Sequence, residues 1–305
     1  MIDLHLHLDG SLTPQEIVAL QDLSGVSLFS KDPEVLLREM TFDGRGTLND
    51  YLKKFELPLS VMQNPEAVAY AVTSLGNRLF TMGYTYAEVR FAPILHTKKG
   101  ASAESIVQGA IKGLQGTKMP LKLILCCMRG SAEQQNLQTV ELAAAYKNQG
   151  VVGVDLAGAE ALYPTENYRQ VFSVASRLGL NITIHAGEAA GEDSVKAALD
   201  FGAKRIGHGV AAKSEDLLDR IKQNDVLIEV CPTSNLQTEA VDSIESHPIK
   251  RFLESGIPVA LCSDNMTVSA TDVPKEWAKV KAAFGFSDEV LTGLIAMAKG
   301  HEFCF

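Results

Sequence analysis

Residues 2–10 of the chain read IDLHLHLDG, and this stretch decides how the rest of the sequence is interpreted. Successive side chains of an extended strand alternate between its two faces, so His5 and His7 point the same way. They are separated by about 7 Å along the strand at its usual rise per residue. Two imidazoles on one face can converge on a single metal ion. We therefore expect the chain to begin with a strand of its active site.

The composition is typical of a globular enzyme. Of the 305 residues, 46% are hydrophobic and 21% are charged, and α/β barrels reach this length as one domain. The formal net charge of −9 and the lack of basic runs argue against a nucleic-acid partner. The sequence has no apolar stretch long enough for a membrane span, so no membrane partner is expected.

The cysteines and the N-terminus bear on the cellular compartment. Five cysteines without the spacing of a disulfide framework indicate reduced thiols. Asp3 lies where an export signal would need basic residues. We therefore expect a cytoplasmic protein, and the sequence leaves its oligomeric state open.

Short apolar, β-branched runs recur eight times along the chain. Most are apolar on both faces, which is typical of parallel strands buried between helices. They cover residues 2–8, 84–91, 121–128, 151–156, 181–185, 204–208, 226–230 and 258–263. Segments with helical periodicity lie between them. This alternation predicts an α/β fold, a (β/α)8 TIM barrel formed by one domain over residues 1–305.

The gap between the first and second runs is much longer than the others and contains two or three helical stretches. One of them, residues 48–60, carries Leu48, Tyr51, Leu52 and Phe55 at the spacing of an apolar helix face. Such a stripe usually packs in a core. Here we expect a helical lid, inserted after the first strand, that also covers a flat apolar ligand at the barrel mouth.

Residues capable of chemistry lie at the ends of several predicted strands. His7 ends the first strand, His185 the fifth and His208 the sixth, and Asp264 follows the eighth. Because the carboxyl ends of all barrel strands meet at one mouth, these segments converge in one cavity. Three histidines and one aspartate from this region suit Zn²⁺ or, less selectively, another divalent metal. They are His5, His7, His185 and Asp264. A helix cap is the plainer alternative for Asp264.

Two groups near these strand ends suit acid–base chemistry. Glu188 follows His185 by three residues, and a carboxyl group there is well placed to exchange a proton. His208 lies between Gly207 and Gly209, which indicates close approach to a substrate or to a neighbouring strand. An imidazole that does not bind the metal would be a natural base beside it.

Eight motifs occur in one order over nearly the whole chain. They are His5-Leu6-His7-Leu8-Asp9-Gly10, Glu88-Val89-Arg90-Phe91, Cys126-Cys127-Met128-Arg129, Asp155-Leu156-Ala157-Gly158-Ala159-Glu160, His185-Ala186-Gly187-Glu188, Arg205-Ile206-Gly207-His208-Gly209, Cys231-Pro232-Thr233-Ser234-Asn235 and Ser263-Asp264. In this order they resemble the adenosine deaminase family of the metal-dependent amidohydrolase superfamily. The resemblance implies one Zn²⁺ per chain, bound by His5, His7, His185 and Asp264. It also implies hydrolysis of adenosine, or of 2′-deoxyadenosine, to the 6-oxo nucleoside and ammonia.

The same resemblance implies a role for each site residue. Glu188 protonates purine N1, and His208 acts as the base toward the attacking water. Asp264 binds the metal and accepts a hydrogen bond from that water. The backbone N–H of Gly158 meets N3, although an ordinary turn glycine fits this position equally, and Asp9 binds the ribose 5′-hydroxyl. The other expected substrate contacts are His7, Leu48, Tyr51, Leu52 and Phe55.

One position departs from the family pattern: Asn265 stands where an aspartate commonly contacts purine N7. An amide offers an N–H at every pH, so we expect deamination to be preserved.

Other enzymes of the family are alternatives. Adenine deaminases often carry Glu where this chain has Asp9. AMP deaminases need a phosphate site, which the acidic Asp9 would oppose. A phosphotriesterase-like hydrolase would need a bridging lysine, and none is evident. A nucleoside-responsive growth factor would need a secretion signal, which we do not expect here. An amidohydrolase acting on adenine or a modified adenine nucleoside remains the alternative.

Overall fold

The computed structural model describes residues 1–304, in which eight strands alternate with helices. The strands are β1 Ile2–His7, β2 Tyr86–Phe91, β3 Leu121–Met128, β4 Val151–Ala157, β5 Thr183–Ala186, β6 Arg205–His208, β7 Leu227–Val230 and β8 Val259–Leu261. Neighbours pair in parallel from β1 to β4 and from β5 to β8. The eight predicted runs are confirmed as strands, with ends that differ by a few residues.

Two short backbone pairings close these strands into a barrel. One lies between β4 and the residues that lead into β5, and the other joins the end of β8 to β1. At the second seam, the N–H of Asp264 donates to the carbonyl of His5 at 2.9 Å, and the N–H of His7 donates to the carbonyl of Asp264 at 2.8 Å. The predicted (β/α)8 barrel is confirmed, and its final seam passes through three of the four predicted metal ligands.

Fourteen α-helices lie between and after the strands within residues 1–304. They are α1 Pro14–Ser24, α2 Pro33–Met40, α3 Leu48–Leu52, α4 Glu56–Val61, α5 Pro65–Thr81, α6 Ala103–Leu114, α7 Glu133–Tyr146, α8 Arg169–Arg177, α9 Glu192–Asp200, α10 Glu215–Gln223, α11 Pro232–Gln237, α12 Ile249–Glu254, α13 Val273–Phe284 and α14 Asp288–Gly300. In the described part of the chain, no helix has both the length and the apolar character that a membrane crossing requires.

The long connection between β1 and β2 contains five helices, α1 to α5, where two or three were expected. Side chains cap four of them: Thr13, Asp32, Thr47 and Asn64 accept hydrogen bonds from first-turn N–H groups. Such caps satisfy donors that have no partner inside the helix, so each helix begins at a defined residue.

The expected lid consists of α3, a 3₁₀ turn at Lys53–Phe55, and α4, which follow one another without a break. Tyr51 and Phe55 pack against Val268 in the loop that follows β8. The buried Tyr51 hydroxyl also lies 2.6 Å from Ser269 Oγ. The lid is therefore anchored to the barrel by apolar packing and by a hydrogen bond.

Residues 301–304, which follow α14, cover the end of the barrel opposite the mouth. Phe303 is buried against Ile124 and Val152, and its ring centre lies 3.6 Å from the guanidinium carbon of Arg205. Its N–H donates to Glu88 Oε1 at 2.7 Å. Arg205 also pairs with Glu88, and both side chains are fully buried. A cation against an aromatic face is favourable, especially where water is excluded.

Candidate active site

Three imidazoles and one carboxylate converge at the mouth of the barrel. One ligand atom from each of His5, His7, His185 and Asp264 lies within 4.8 Å of the other three. The Nε2 atoms of His5 and His7 are each 3.4 Å from Asp264 Oδ1. The Nε2 atoms of His7 and His185 are 3.1 Å apart. The structure thus brings together the four side chains that the sequence proposes as ligands.

These side chains are suited to a divalent metal ion. Among the described residues, Nε2 of His5 is buried and has no hydrogen-bond partner, which is unfavourable unless a ligand meets it. Its Nδ1 lies 2.7 Å from Glu229 Oε2, and Nδ1 of His185 lies 2.9 Å from Asp155 Oδ2. A carboxylate that holds Nδ1–H leaves Nε2 free to bind metal. Nitrogen and oxygen donors without a thiolate suit Zn²⁺.

Two buried arginines balance the carboxylates behind the histidines. Arg90 Nη1 lies 3.1 Å from Asp155 Oδ2, and its Nη2 lies 2.9 Å from Glu229 Oε2. Arg205 Nε lies 2.7 Å from Glu229 Oε1. Burial acts to raise the pKa of Glu229, but Arg90 and Arg205 outweigh it and hold that pKa below its ordinary value. Glu229 therefore stays ionised and orients His5.

Sequence reasoning missed this supporting layer. Arg90, Asp155 and Arg205 lie in the recognised motifs but received no role, and Glu229 was not singled out. The available signal was a charged residue within a mainly apolar strand: Arg90 in β2, Asp155 in β4, Arg205 in β6 and Glu229 in β7. A charge buried inside a barrel requires an opposite charge, so such residues indicate an internal network.

Glu188 and His208 lie beside each other next to the predicted metal ligands. Glu188 Oε2 is 3.5 Å from His208 Nε2, and Glu188 Oε1 accepts a hydrogen bond from the Thr238 hydroxyl at 3.0 Å. Burial, reinforced by the negative charges of Asp264 and Glu160, raises the pKa of Glu188 to about 8. The carboxyl group therefore carries a proton at neutral pH and can donate it to a bound ligand.

A buried carboxylate holds the loop that carries Glu188. Glu160 follows β4 and accepts hydrogen bonds from the backbone N–H groups of residues 187–190 at 2.7 to 3.1 Å. It also accepts a hydrogen bond from the Ser194 hydroxyl. Several charge-assisted hydrogen bonds to one side chain fix the loop more firmly than neutral ones would. Sequence reasoning quoted Glu160 within a motif but gave it no role.

A cavity of about 190 Å³ opens beside these groups and has room for a small molecule. Among the buried side-chain atoms without a hydrogen-bond partner in residues 1–304 are Oδ1 of Asp9 and Oδ1 of Asn265. Leu59, Phe91 and Leu95 add apolar surface. All the substrate-contact residues proposed from the sequence line it: His7, Asp9, Leu48, Tyr51, Leu52, Phe55, Gly158 and Asn265.

The backbone at the site adopts conformations that are rare for residues with side chains. His208 and Asp264 have φ angles of 64° and 58°, in the left-handed region. Residues held there cluster at functional sites, where the surrounding structure enforces the strain. At Gly207, an added Cβ would lie 2.9 Å from His5 Cε1. The close approach at this glycine is therefore to the His5 imidazole and also to the adjacent strand β5, where His185 Cα would lie 3.3 Å from the added Cβ.

A (β/α)8 barrel with three histidines and one aspartate at its mouth defines a metal-dependent amidohydrolase. A family model described as adenosine deaminase matches residues 1–304. The chain belongs to the adenosine deaminase family.

Known proteins agree with this assignment. The adenosine deaminase of Haemophilus ducreyi is 44% identical over 288 residues, which cover 91% of this chain and 84% of that protein. The adenine deaminase of Arthrobacter aurescens has a similar structure, with a TM-score of 0.88 at 25% identity, covering 100% of this chain and 94% of that one. A zinc-bound amidohydrolase from Burkholderia ambifaria shares the fold, with a TM-score of 0.86 at 18% identity, covering 100% and 85%.

Proposed function

We propose that this chain catalyses the hydrolytic deamination of adenosine, and of 2′-deoxyadenosine, to the corresponding inosine and ammonia. One observation carries the proposal: the buried carboxyl group of Glu188 lies 3.5 Å from the His208 imidazole, beside the cluster of three histidines and Asp264. Deamination at purine C6 needs a proton for the ring nitrogen and a nucleophile derived from water, and this site offers a source of each.

His5, His7, His185 and Asp264 would hold one Zn²⁺ per chain. When bound, the ion supplies a nucleophile at neutral pH because it lowers the pKa of water. The unpartnered Nε2 of His5 and the oxygen and nitrogen donor set support zinc. Since ligands come from both ends of the sequence, we also propose that residues 1–305 act as one domain.

The chain's own side chains move the protons. Glu188 gives its proton to purine N1, which makes C6 more electrophilic. The C6–O bond then forms as water is consumed, the C6–N6 bond breaks, and N6 leaves as ammonia. His208 and Asp264 lie where they can hold and pass the protons of the attacking water.

Eight residues would orient and enclose the purine nucleoside. The N–H of Gly158 would meet N3, and Asp9 would accept a hydrogen bond from the ribose 5′-hydroxyl. The buried, unpartnered Oδ1 of Asp9 supports this contact because it needs a donor. The Asn265 Oδ1 faces Gly10, where an added Cβ would lie 1.8 Å away, which leaves the amide N–H₂ for purine N7. His7 and the lid residues Leu48, Tyr51, Leu52 and Phe55 would enclose the base.

The alternative is an amidohydrolase that acts on adenine or on a modified adenine nucleoside, and the structural likeness to an adenine deaminase gives it weight. Ammonia release from adenosine, adenine and AMP separates these functions. We expect adenosine to have the highest kcat/KM, because adenine lacks the Asp9 contact and AMP would bring a phosphate dianion to a carboxyl group. A higher kcat/KM for adenine would overturn the proposed substrate.

The thiols bear on where the protein works. All five cysteines are free, and four of them are buried. Unpaired cysteines are usual in reducing compartments, which supports a cytoplasmic location.

A further inference from the structure

A chain of buried hydrogen bonds links the backbone to the His208 imidazole. The N–H of Ile249 donates to His247 Nδ1 at 3.1 Å. His247 Nε2 lies 3.2 Å from Asn235 Oδ1, and Asn235 Nδ2 lies 2.9 Å from His208 Nδ1. The exposed fractions of His247, Asn235 and His208 are 3%, 0% and 1%, so bulk water offers no competing partners.

The backbone amide sets the direction of every bond in this chain. A backbone N–H can only donate, so His247 Nδ1 accepts and carries no proton. Burial lowers the pKa of His247 to about 3, and the single proton of the neutral ring is then on Nε2. That Nε2–H donates to the oxygen of Asn235, which leaves the amide N–H₂ to donate to His208. Nδ1 of His208 therefore accepts, and its ring proton is on Nε2.

We propose that His247 and Asn235 are positioning residues that fix His208 as the tautomer with its proton on Nε2. Sequence reasoning gave His247 no role, and it quoted Asn235 only as the last residue of a motif. His247 lies in the turn before α12, outside the strand ends where the functional residues were sought. The two residues act through His208, and neither one lines the cavity.

The tautomer sets the part that His208 plays, and this consequence rests on the proposed function. Nε2 is the ring atom 3.5 Å from Glu188 Oε2, so it is the atom beside the reacting groups. With a proton there, His208 donates a hydrogen bond to the oxygen of the attacking water and has no lone pair to accept that water's proton. The proton passes to the Asp264 carboxylate as the C6–O bond forms. The family resemblance assigns this base role to His208, and the hydrogen-bond chain assigns it to Asp264.

Nitrogen-15 NMR of the zinc-loaded protein, labelled at histidine, reads the tautomer directly. Long-range correlations distinguish protonated from unprotonated ring nitrogens, and the spectrum of His208→Gln identifies the His208 signals. We expect the proton on Nε2. A proton on Nδ1 would overturn the proposal. This measurement needs no turnover, so it is independent of whether adenosine proves to be the substrate.

Asn235→Asp is designed to reverse the tautomer. A carboxylate only accepts, so it would draw a proton onto His208 Nδ1 and leave a lone pair on Nε2. We expect the NMR signals to exchange and kcat for adenosine to fall about 100-fold, with KM and zinc content near those of the wild type. A variant with the reversed tautomer and an unchanged or higher kcat would show that His208 works as the base.

His247 provides a second test that adds no charge. His247→Leu removes the donor to Asn235 and allows the side-chain amide of Asn235 to rotate by half a turn. We therefore expect mixed tautomers at His208 and about tenfold lower kcat. His247→Gln is the matched control, because its amide N–H can again donate to Asn235 and should restore most of the loss. If the leucine variant keeps a pure Nε2–H tautomer, His247 does not position His208.

Discussion

The interior of the barrel and its mouth both bury charged groups, but they satisfy them differently. In the interior, Arg90 and Arg205 meet the carboxylates of Glu88, Asp155 and Glu229 within 3.1 Å. Within residues 1–304, the Nε atoms of both arginines have no well-aligned hydrogen-bond partner, but each guanidinium is ion-paired with two carboxylates. At the mouth, polar atoms of other buried side chains have no hydrogen-bond partner in the part of the chain that the structure describes. They include His5 Nε2 and Asp9 Oδ1.

This difference indicates that the interior and the mouth have separate roles. Buried opposite charges hold each other in place, and losing one partner leaves the other uncompensated. Unpartnered buried atoms favour whatever ligand completes them. Substitutions in the interior should therefore change stability and metal affinity. Those at the mouth should change turnover and selectivity.

The largest effect is expected at the mouth, from Glu188→Gln. Glutamine keeps the size of the side chain but cannot supply the proton for purine N1. We expect turnover to fall about 10²–10⁴-fold, while KM for adenosine and zinc content stay near those of the wild type. Steady-state kinetics and elemental analysis measure these quantities. Turnover close to that of the wild type would remove Glu188 from the mechanism.

The matching change in the interior is Glu229→Gln, which leaves Arg90 and Arg205 short of negative charge and weakens the contact that orients His5. The free energy of unfolding should fall by about 3–5 kcal/mol, and zinc affinity by about 10–100-fold. Urea unfolding and titration in zinc buffers test this prediction. Glu188→Gln is the control, because it also replaces a buried glutamate. Equal unfolding midpoints for the two variants would contradict the division between the regions.

A smaller effect is expected at Asn265. Asn265→Ala should lose about 1–3 kcal/mol of transition-state binding if the amide donates to purine N7. With 7-deazaadenosine, which lacks this acceptor, the difference between wild type and variant in kcat/KM should shrink. Asn265→Asp should remain active but lose activity as pH rises, because an ionised carboxyl group cannot donate. If the ratio of kcat/KM between the wild type and Asn265→Ala is the same for adenosine and 7-deazaadenosine, Asn265 does not contact N7.

The smallest effect concerns pH and the raised pKa of Glu188. Above about pH 8 the carboxyl group loses its proton, so kcat should fall by about tenfold per pH unit. Because the folded-state pKa lies above the ordinary 4.5, the free energy of unfolding should also decline as pH rises between those values. Glu188→Gln should remove the part of this decline that Glu188 causes. Parallel pH profiles of unfolding for the two proteins would contradict this assignment.

The sequence predicts the barrel and the residues at its strand ends, because period, length and topology place His7, His185, His208 and Asp264 at one mouth. Pairings across the interior could not be predicted. Glu229 sits in a strand of four residues, too short to show which face it occupies, and its partner His5 is 224 positions away. Such a contact depends on three-dimensional register rather than on a local pattern.

The extra helices and the His247 contact escaped prediction for different reasons. The connection from β1 to β2 did carry helix-start signals, such as Asp32 before Pro33 and Asn64 before Pro65, which separate more helices than apolar periodicity alone suggests. His247 carries no such signal. It lies in a turn, and only the folded chain shows that Asn235 connects it to His208.

Because Asp264 pairs through its backbone with His5 and His7, the active site is complete only when the barrel has folded. His5 and His7 lie on the first strand of the barrel and are made before the other seven strands, whereas Asp264 follows the last strand, so the four ligands cannot meet until β8 reaches β1. Until then β1 and β8 are open sheet edges that can pair with other chains. Since only the closed barrel presents all four ligands, metal binding would stabilise that state by mass action. The ion would stabilise the pairing of β8 with β1. The rate of metal binding during refolding would therefore measure how fast the barrel closes.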